Sequence, residues 1–127
     1  MRPVIQTYTG ENGNCFAACL ASILEIPLSD IPDFGGDDVF LDQVAQFLEP
    51  MDLYYIQVPV YDGAIERMFE AGDTFHTIEG TSPRGGQHAV VGCNGVMVHD
   101  PHPFDGTGRG LVDIDCYGLI CKRMTQF

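Results

Sequence analysis

The chain has 127 residues, 45% of them hydrophobic, with 15 Gly and 8 Pro, which is the composition of a single turn-rich globular domain (residues 1–127) able to bury one core, not of a disordered segment. Six Lys plus Arg against 18 Asp plus Glu give a net charge of −12, which argues against a phosphate-binding face, hence no nucleic acid, and against attachment to anionic lipid. No run approaches the roughly 20 apolar residues of a membrane span, and Met1 to Gln6 lacks the apolar stretch of a signal peptide, so a cytoplasmic protein with no membrane partner is expected.

Residues 7–14 are polar and Gly-rich and read as an irregular loop. At Asn14 the character changes: Cys15 to Glu25 is Ala- and Leu-rich without a breaker, which predicts a mostly buried helix with Asn14 as its N-cap and Pro27 closing it. Pro27 to Gly36 is a turn-rich connector with one helical turn over Ser29–Asp33. Asp37 to Glu49 is a second helix, with acidic residues at its positive end and Phe40, Leu41, Val44, Phe47 and Leu48 on one face. Leu53–Val60 reads as a strand, Asp62–Ala71 as a third helix ended by Gly72, and Thr74–Glu79, Gln87–Gly92, Val96–Asp100 and Leu119–Arg123 as further strands. Asn94-Gly95 is a two-residue hairpin signal. Helices first and an antiparallel sheet afterwards make an α+β fold.

Five cysteines, Cys15, Cys19, Cys93, Cys116 and Cys121, in a chain with no export signal point to free thiols. A small buried hydrophobe is the ordinary role of such a thiol. Cys15 differs because it opens a helix, where unpaired amides and the helix dipole favour a thiolate. A nucleophilic thiol needs a base, and the base needs an orienting group. His88 stands at the head of an apolar strand and Asp100 at the end of the next. The two numbers sum nearly to twice the centre of the Asn94-Gly95 turn, so antiparallel pairing predicts them side by side.

Gly13-Asn14-Cys15 before an Ala-rich helix, His88-Ala89-Val90-Val91, and Val98-His99-Asp100-Pro101 together resemble the papain-like cysteine peptidase superfamily. The likeness is closest to its small bacterial branches, such as the peptidases that process bacteriocin leaders and related cell-wall enzymes. The whole chain also resembles a group of small bacterial and phage proteins, through the connector Ile26 to Phe34, Ser82-Pro83-Arg84-Gly85, and His99-Asp100-Pro101-His102-Pro103. The resemblance implies a papain-like fold with the catalytic helix packed on the sheet. It implies Cys15 as nucleophile, His88 as general base and Asp100 as the group orienting His88. In the superfamily a Gln shortly before the Cys donates to the oxyanion. Here that residue is Gln6, nine residues upstream, with the backbone amide of Cys15 as second donor.

Arg84, in the turn-rich stretch Ser82 to Gly86, and Asn14 are the expected substrate-binding residues, Arg84 toward a carboxylate or carbonyl. No cofactor is implied. The expected reaction is hydrolysis of an amide or peptide bond through a thioester, and an acyltransferase or transglutaminase-like enzyme would use the same triad. Two further readings belong to other classes. His99, His102 and Asp105 have a permissive metal-ligand spacing, weakened by the intervening Pro101. The charge, first of all a solubility device, also suits a basic protein partner, so a non-catalytic acidic binding or inhibitor protein is the other alternative.

Overall fold

A computed structural model describes residues 1–10, 13–60, 73–104, 106 and 108–123, the side chain of Asp37 excepted. Two helices, α1 (Cys15–Leu24) and α2 (Asp37–Leu48), pack against one five-stranded antiparallel sheet. The strands are β1 (Leu53–Pro59), β2 (Phe75–Thr81), β3 (Gln87–Cys93), β4 (Val96–His99) and β5 (Asp113–Lys122), in the order β1-β5-β2-β3-β4. The α+β expectation holds. The helix expected over Asp62–Ala71 lies outside the described residues, and among those described no helix is long and apolar enough to cross a membrane.

α1 forms where the sequence offers its longest run of Ala and Leu, and Ala17 to Ser22 are buried. It ends at Glu25, whose backbone turns left-handed (φ 57°) with its N–H bonded to Ala21 O. One side of α1 packs Ala17, Leu20 and Ala21 on Ile31, Phe34 and Phe47, and another sets Cys19 against Ala89 and Val91 of β3. In α2 the buried positions are Val44 and Leu48, flanked by half-buried Phe40 and Phe47. Leu41, expected on that face, is 50% exposed. The helical period puts positions 40, 44, 47 and 48 inward, and 41 falls off the edge of the stripe. The expected helical turn after Pro27 is a 3₁₀ turn over Leu28–Asp30.

β5 begins six residues before the stretch expected for the last strand. Its first half, Asp113 to Tyr117, alternates two Asp with Ile114 and Cys116 and pairs with β2, and its second half pairs with β1. Gly118 stands at the crossing of these ladders, where a Cβ would collide with Thr77 Oγ1 and the Tyr55 ring. The opposite face of the sheet carries Ile78, Val90 and Tyr117.

The Asn94-Gly95 hairpin is present, both residues with positive φ (53° and 86°), as a type I′ connection requires. Buried His76 pins it: Gly95 N–H donates to His76 Nε2 at 3.0 Å, while Nδ1–H donates to Thr77 O. Cys93 pairs Val96 and Gly92 pairs Met97, but a register shift then matches Val91 with His99. That bulge sets Asp100, the residue after β4, one step further along β3 from His88 than the unshifted register would, yet the two side chains still meet.

Candidate active site

The chain approaches α1 through Gly13, where a larger residue would be crowded. A Cβ on Gly13 would stand 3.0 Å from the carbonyl oxygens of both Gly10 and Tyr8, and 3.4 Å from Gln6 Nε2. Asn14 then turns its side chain back onto the loop. Its Oδ1 accepts the N–H groups of Thr7 (3.0 Å) and Tyr8 (2.9 Å), and its Nδ2 donates to Thr7 Oγ1 (2.8 Å). The expectation that Asn14 caps α1 is therefore wrong: its side chain makes no capping bond. With φ −112° and ψ 37° it occupies the cap position but faces backward, so the first-turn amides beginning at Cys15 keep their donors free of it.

His88 heads β3 and is 5% exposed. Its Nε2–H donates to Asp100 Oδ1 at 2.8 Å, between side chains that are 4% and 1% exposed. With Nε2 so occupied, Nδ1 is the ring nitrogen left for the half-buried Cys15 thiol, whose interaction with the imidazole helps to raise the ring's pKa. Asp100 reaches His88 despite the bulge because β4 stops at His99 and the following loop grips the carboxylate from its other sides. The N–H of His102 donates to Oδ1 (2.9 Å) and that of Gly110 to Oδ2 (2.7 Å). The His102 ring meets the His88 ring edge-on, 6.1 Å between centroids.

The charges follow from these bonds. Burial alone would raise the Asp100 pKa, yet the bonds from His88, Gly110 and His102 outweigh it and hold the carboxyl well below the usual range. Burial would lower the His88 pKa, but Asp100 and then Cys15 raise it to about 9. Asp100 therefore fixes both the tautomer and the charge of the imidazole. Elsewhere burial leads the other way: it pushes the Cys19 thiol up, with help from Cys15, Glu79 and Asp100, and likewise Cys121. Cys116 reaches about 12 through burial and its bond to Glu79 Oε2, which Tyr55 OH also joins at 2.6 Å. Those three thiols lack the setting of a nucleophile.

Gln6 arrives beside Gly13 because the N-terminal segment lies along the end of β4. Gln6 N–H donates to Pro101 O (2.9 Å), and His99 Nε2–H donates to Val4 O (2.7 Å). The Gln6 side chain is buried against the Gly13 loop, Nε2 donating to Tyr8 O at 2.8 Å, and its Oε1 is buried without a partner among the described residues. Arg84 goes elsewhere. Its guanidinium donates to Gly108 O (2.6 Å) and it does not line the cleft. Among the described residues no three His, Cys, Asp or Glu side chains converge as metal ligands; Asp105 is not one of those residues.

Cys15 opens onto a cleft of about 690 Å³ whose walls include Asn14, Tyr8, Phe16, Phe34, Phe40 and Asp33. Sequence reading placed Asn14 there but missed the aromatic wall. Phe16 meets Phe34, Phe40 and Tyr55 edge-on, with centroids 4.8–5.9 Å apart. The signal was available in part: Phe16 lies beside Cys15 on the helix, and Phe34 follows the Pro-rich connector that must cross it. Compared with known proteins, the chain matches no family model, no curated protein and no solved structure.

Proposed function

We propose that this protein is a cysteine hydrolase of papain-like fold that cleaves an amide or peptide bond in the cytoplasm. The observation that carries the reading is His88 held between the Cys15 thiol and the Asp100 carboxylate. A histidine hydrogen-bonded to a carboxylate through one nitrogen and to a thiol through the other is the arrangement that moves a proton off sulfur and later onto a leaving amine.

Cys15 gives its proton to His88 Nδ1, and the thiolate attacks the carbonyl carbon. A C–S bond forms as the carbonyl π pair moves onto oxygen. The Cys15 amide and Gln6 Nε2 supply the donors for that oxyanion; Gln6 turns one N–H from Tyr8 O or uses its second. The oxyanion then re-forms the carbonyl, the C–N bond breaks, and the nitrogen leaves with the proton from His88. Water, deprotonated by the now neutral His88, attacks the thioester and expels the Cys15 thiolate, which restores the ion pair. Asp100 holds Nε2–H throughout, and so keeps Nδ1 directed at sulfur.

The test is selective alkylation joined to turnover. Iodoacetamide should modify Cys15 faster than Cys19, Cys116 or Cys121 by peptide mass spectrometry. His88→Ala should slow that modification, and Cys15→Ser should abolish release of fluorophore from a peptidyl-aminocoumarin library. Equal labelling of Cys15 and Cys19, or turnover that survives Cys15→Ser, would end the proposal.

A further inference from the structure

The cleft beside Cys15 has an unusual charge inventory for its size. Its walls are largely aromatic, and among the described residues lining it Asp33 is the one carboxylate. Asp33 is exposed at the rim, and it also lines an adjoining hollow of about 310 Å³, so its carboxylate commands both spaces. Among the described residues no Lys or Arg lines either one. A carboxylate at the end of an aromatic channel suits a long apolar stem that ends in a cation. The stem covers Phe34 and Phe40, the cation stacks on an aromatic face, here that of 65%-exposed Tyr8, and the carboxylate neutralises it. An acidic substrate group would meet Asp33 and a chain of net charge −12 with no counter-charge in the cleft.

Resting on the hydrolase reading above, we infer that this cleft is a subsite for a cationic, long-stemmed substrate side chain such as that of lysine or arginine, with Asp33 as its specificity-determining residue. Asp33 is placed to do this by Pro32 and Phe34. Ile31 before them is buried against α1, so the connector is anchored on both sides and presents residue 33 outward over the cleft.

Three alkylating probes with one iodoacetamide warhead, carrying a 6-aminohexyl, a hexyl or a 5-carboxypentyl arm, would separate the possibilities. Rates at Cys15 are read by peptide mass spectrometry in 0.15 M salt, where the general field is screened within about 8 Å. The aminohexyl probe should react roughly five- to tenfold faster than the hexyl probe, and the carboxypentyl probe slowest. Asp33→Asn should bring the aminohexyl-to-hexyl ratio near one, while Asp52→Asn, a charge change that lines neither space, should leave that ratio unchanged. An aminohexyl rate no greater than the hexyl rate, or a ratio that Asp33→Asn does not alter, overturns the assignment with the hydrolase reading intact. A Cys15 that no probe singles out from Cys19 overturns both.

Discussion

Replacing Asp100 by Asn tests the charge chain behind Cys15, because it keeps the side-chain volume and removes the charge. In the native protein the carboxylate accepts His88 Nε2–H, His102 N–H and Gly110 N–H, and both His88 and Asp100 are buried. An amide cannot accept on both sides, so one of those donors faces an NH₂ group, a pH-independent cost of about 1–3 kcal/mol. The pH-dependent part follows from His88, whose pKa stands at about 9 instead of 6.5. At roughly 1.4 kcal/mol per pH unit this rise is a ceiling of about 3 kcal/mol, part of which belongs to Cys15 and survives the substitution. Because the folded-state pKa is raised, that stabilisation is complete below pH 6.5 and disappears as pH rises through about 9. Asp100 itself, depressed by the same bond, adds stability above the ordinary carboxylate range that is lost as pH falls below it. Urea unfolding of both proteins at pH 6, 7.5, 9 and 10 gives the gap between them at each pH, a difference in which groups unaffected by residue 100, such as His76, cancel. The gap should be widest near pH 6 and shrink by up to about 3 kcal/mol by pH 10. A gap that stays flat, or widens with pH, would show that the His88–Asp100 contact carries no ion pair.

Gln6→Ala should lower turnover by about 10²–10³ with little change in KM, alongside a stability loss of about 0.5–1.5 kcal/mol for the Nε2–H bond to Tyr8 O; unaltered turnover refutes the oxyanion role. Asn14→Ala should speed hydrogen exchange at the amides of Thr7 and Tyr8, which its Oδ1 holds, and leave the first turn of α1 unaffected; the reverse pattern would restore it as a helix cap. Gly118→Ala should destabilise the protein by about 1–3 kcal/mol in thermal unfolding, because the new methyl has no space beside Thr77 and Tyr55. Leu48→Ala, which empties a fully buried site, should cost about 2–5 kcal/mol in the same assay.

Where local chemistry decides, sequence reading was enough. The α1 helix, the Asn94-Gly95 hairpin and most of α2 follow from Ala and Leu content, from residues that tolerate positive φ, and from the helical period. Where pairing decides, it fell short. The first half of β5 alternates acidic and apolar residues (Asp113, Ile114, Asp115, Cys116) over too short a run to read as a strand by itself, and β2 offers the partner for its backbone. Asn14 illustrates the same limit in one residue. Asn is among the favoured capping types, but capping is a competition for its side-chain oxygen, and here the two amides of Thr7 and Tyr8 win.

The His88–Asp100 contact was legible from the turn, which was expected to bring the two side by side; they do bond, but across a Val91/Gly92 register shift that simple pairing does not contain. The contact survives because β4 is short. An Asp held within the ladder opposite Val90 would have its position set by the pleat; one just past the strand end can be set by a loop. Residues of that loop donate to the carboxylate as well: His102 N–H shares Oδ1 with His88 Nε2–H, and Gly110 N–H takes Oδ2. The bulge is thus tied to how the charge is held: it displaces Asp100 from the ladder and frees its oxygens for three donors instead of one. Shortening the loop, or removing the bulge to restore the simple pairing, should weaken the His88–Asp100 contact even with both residues present.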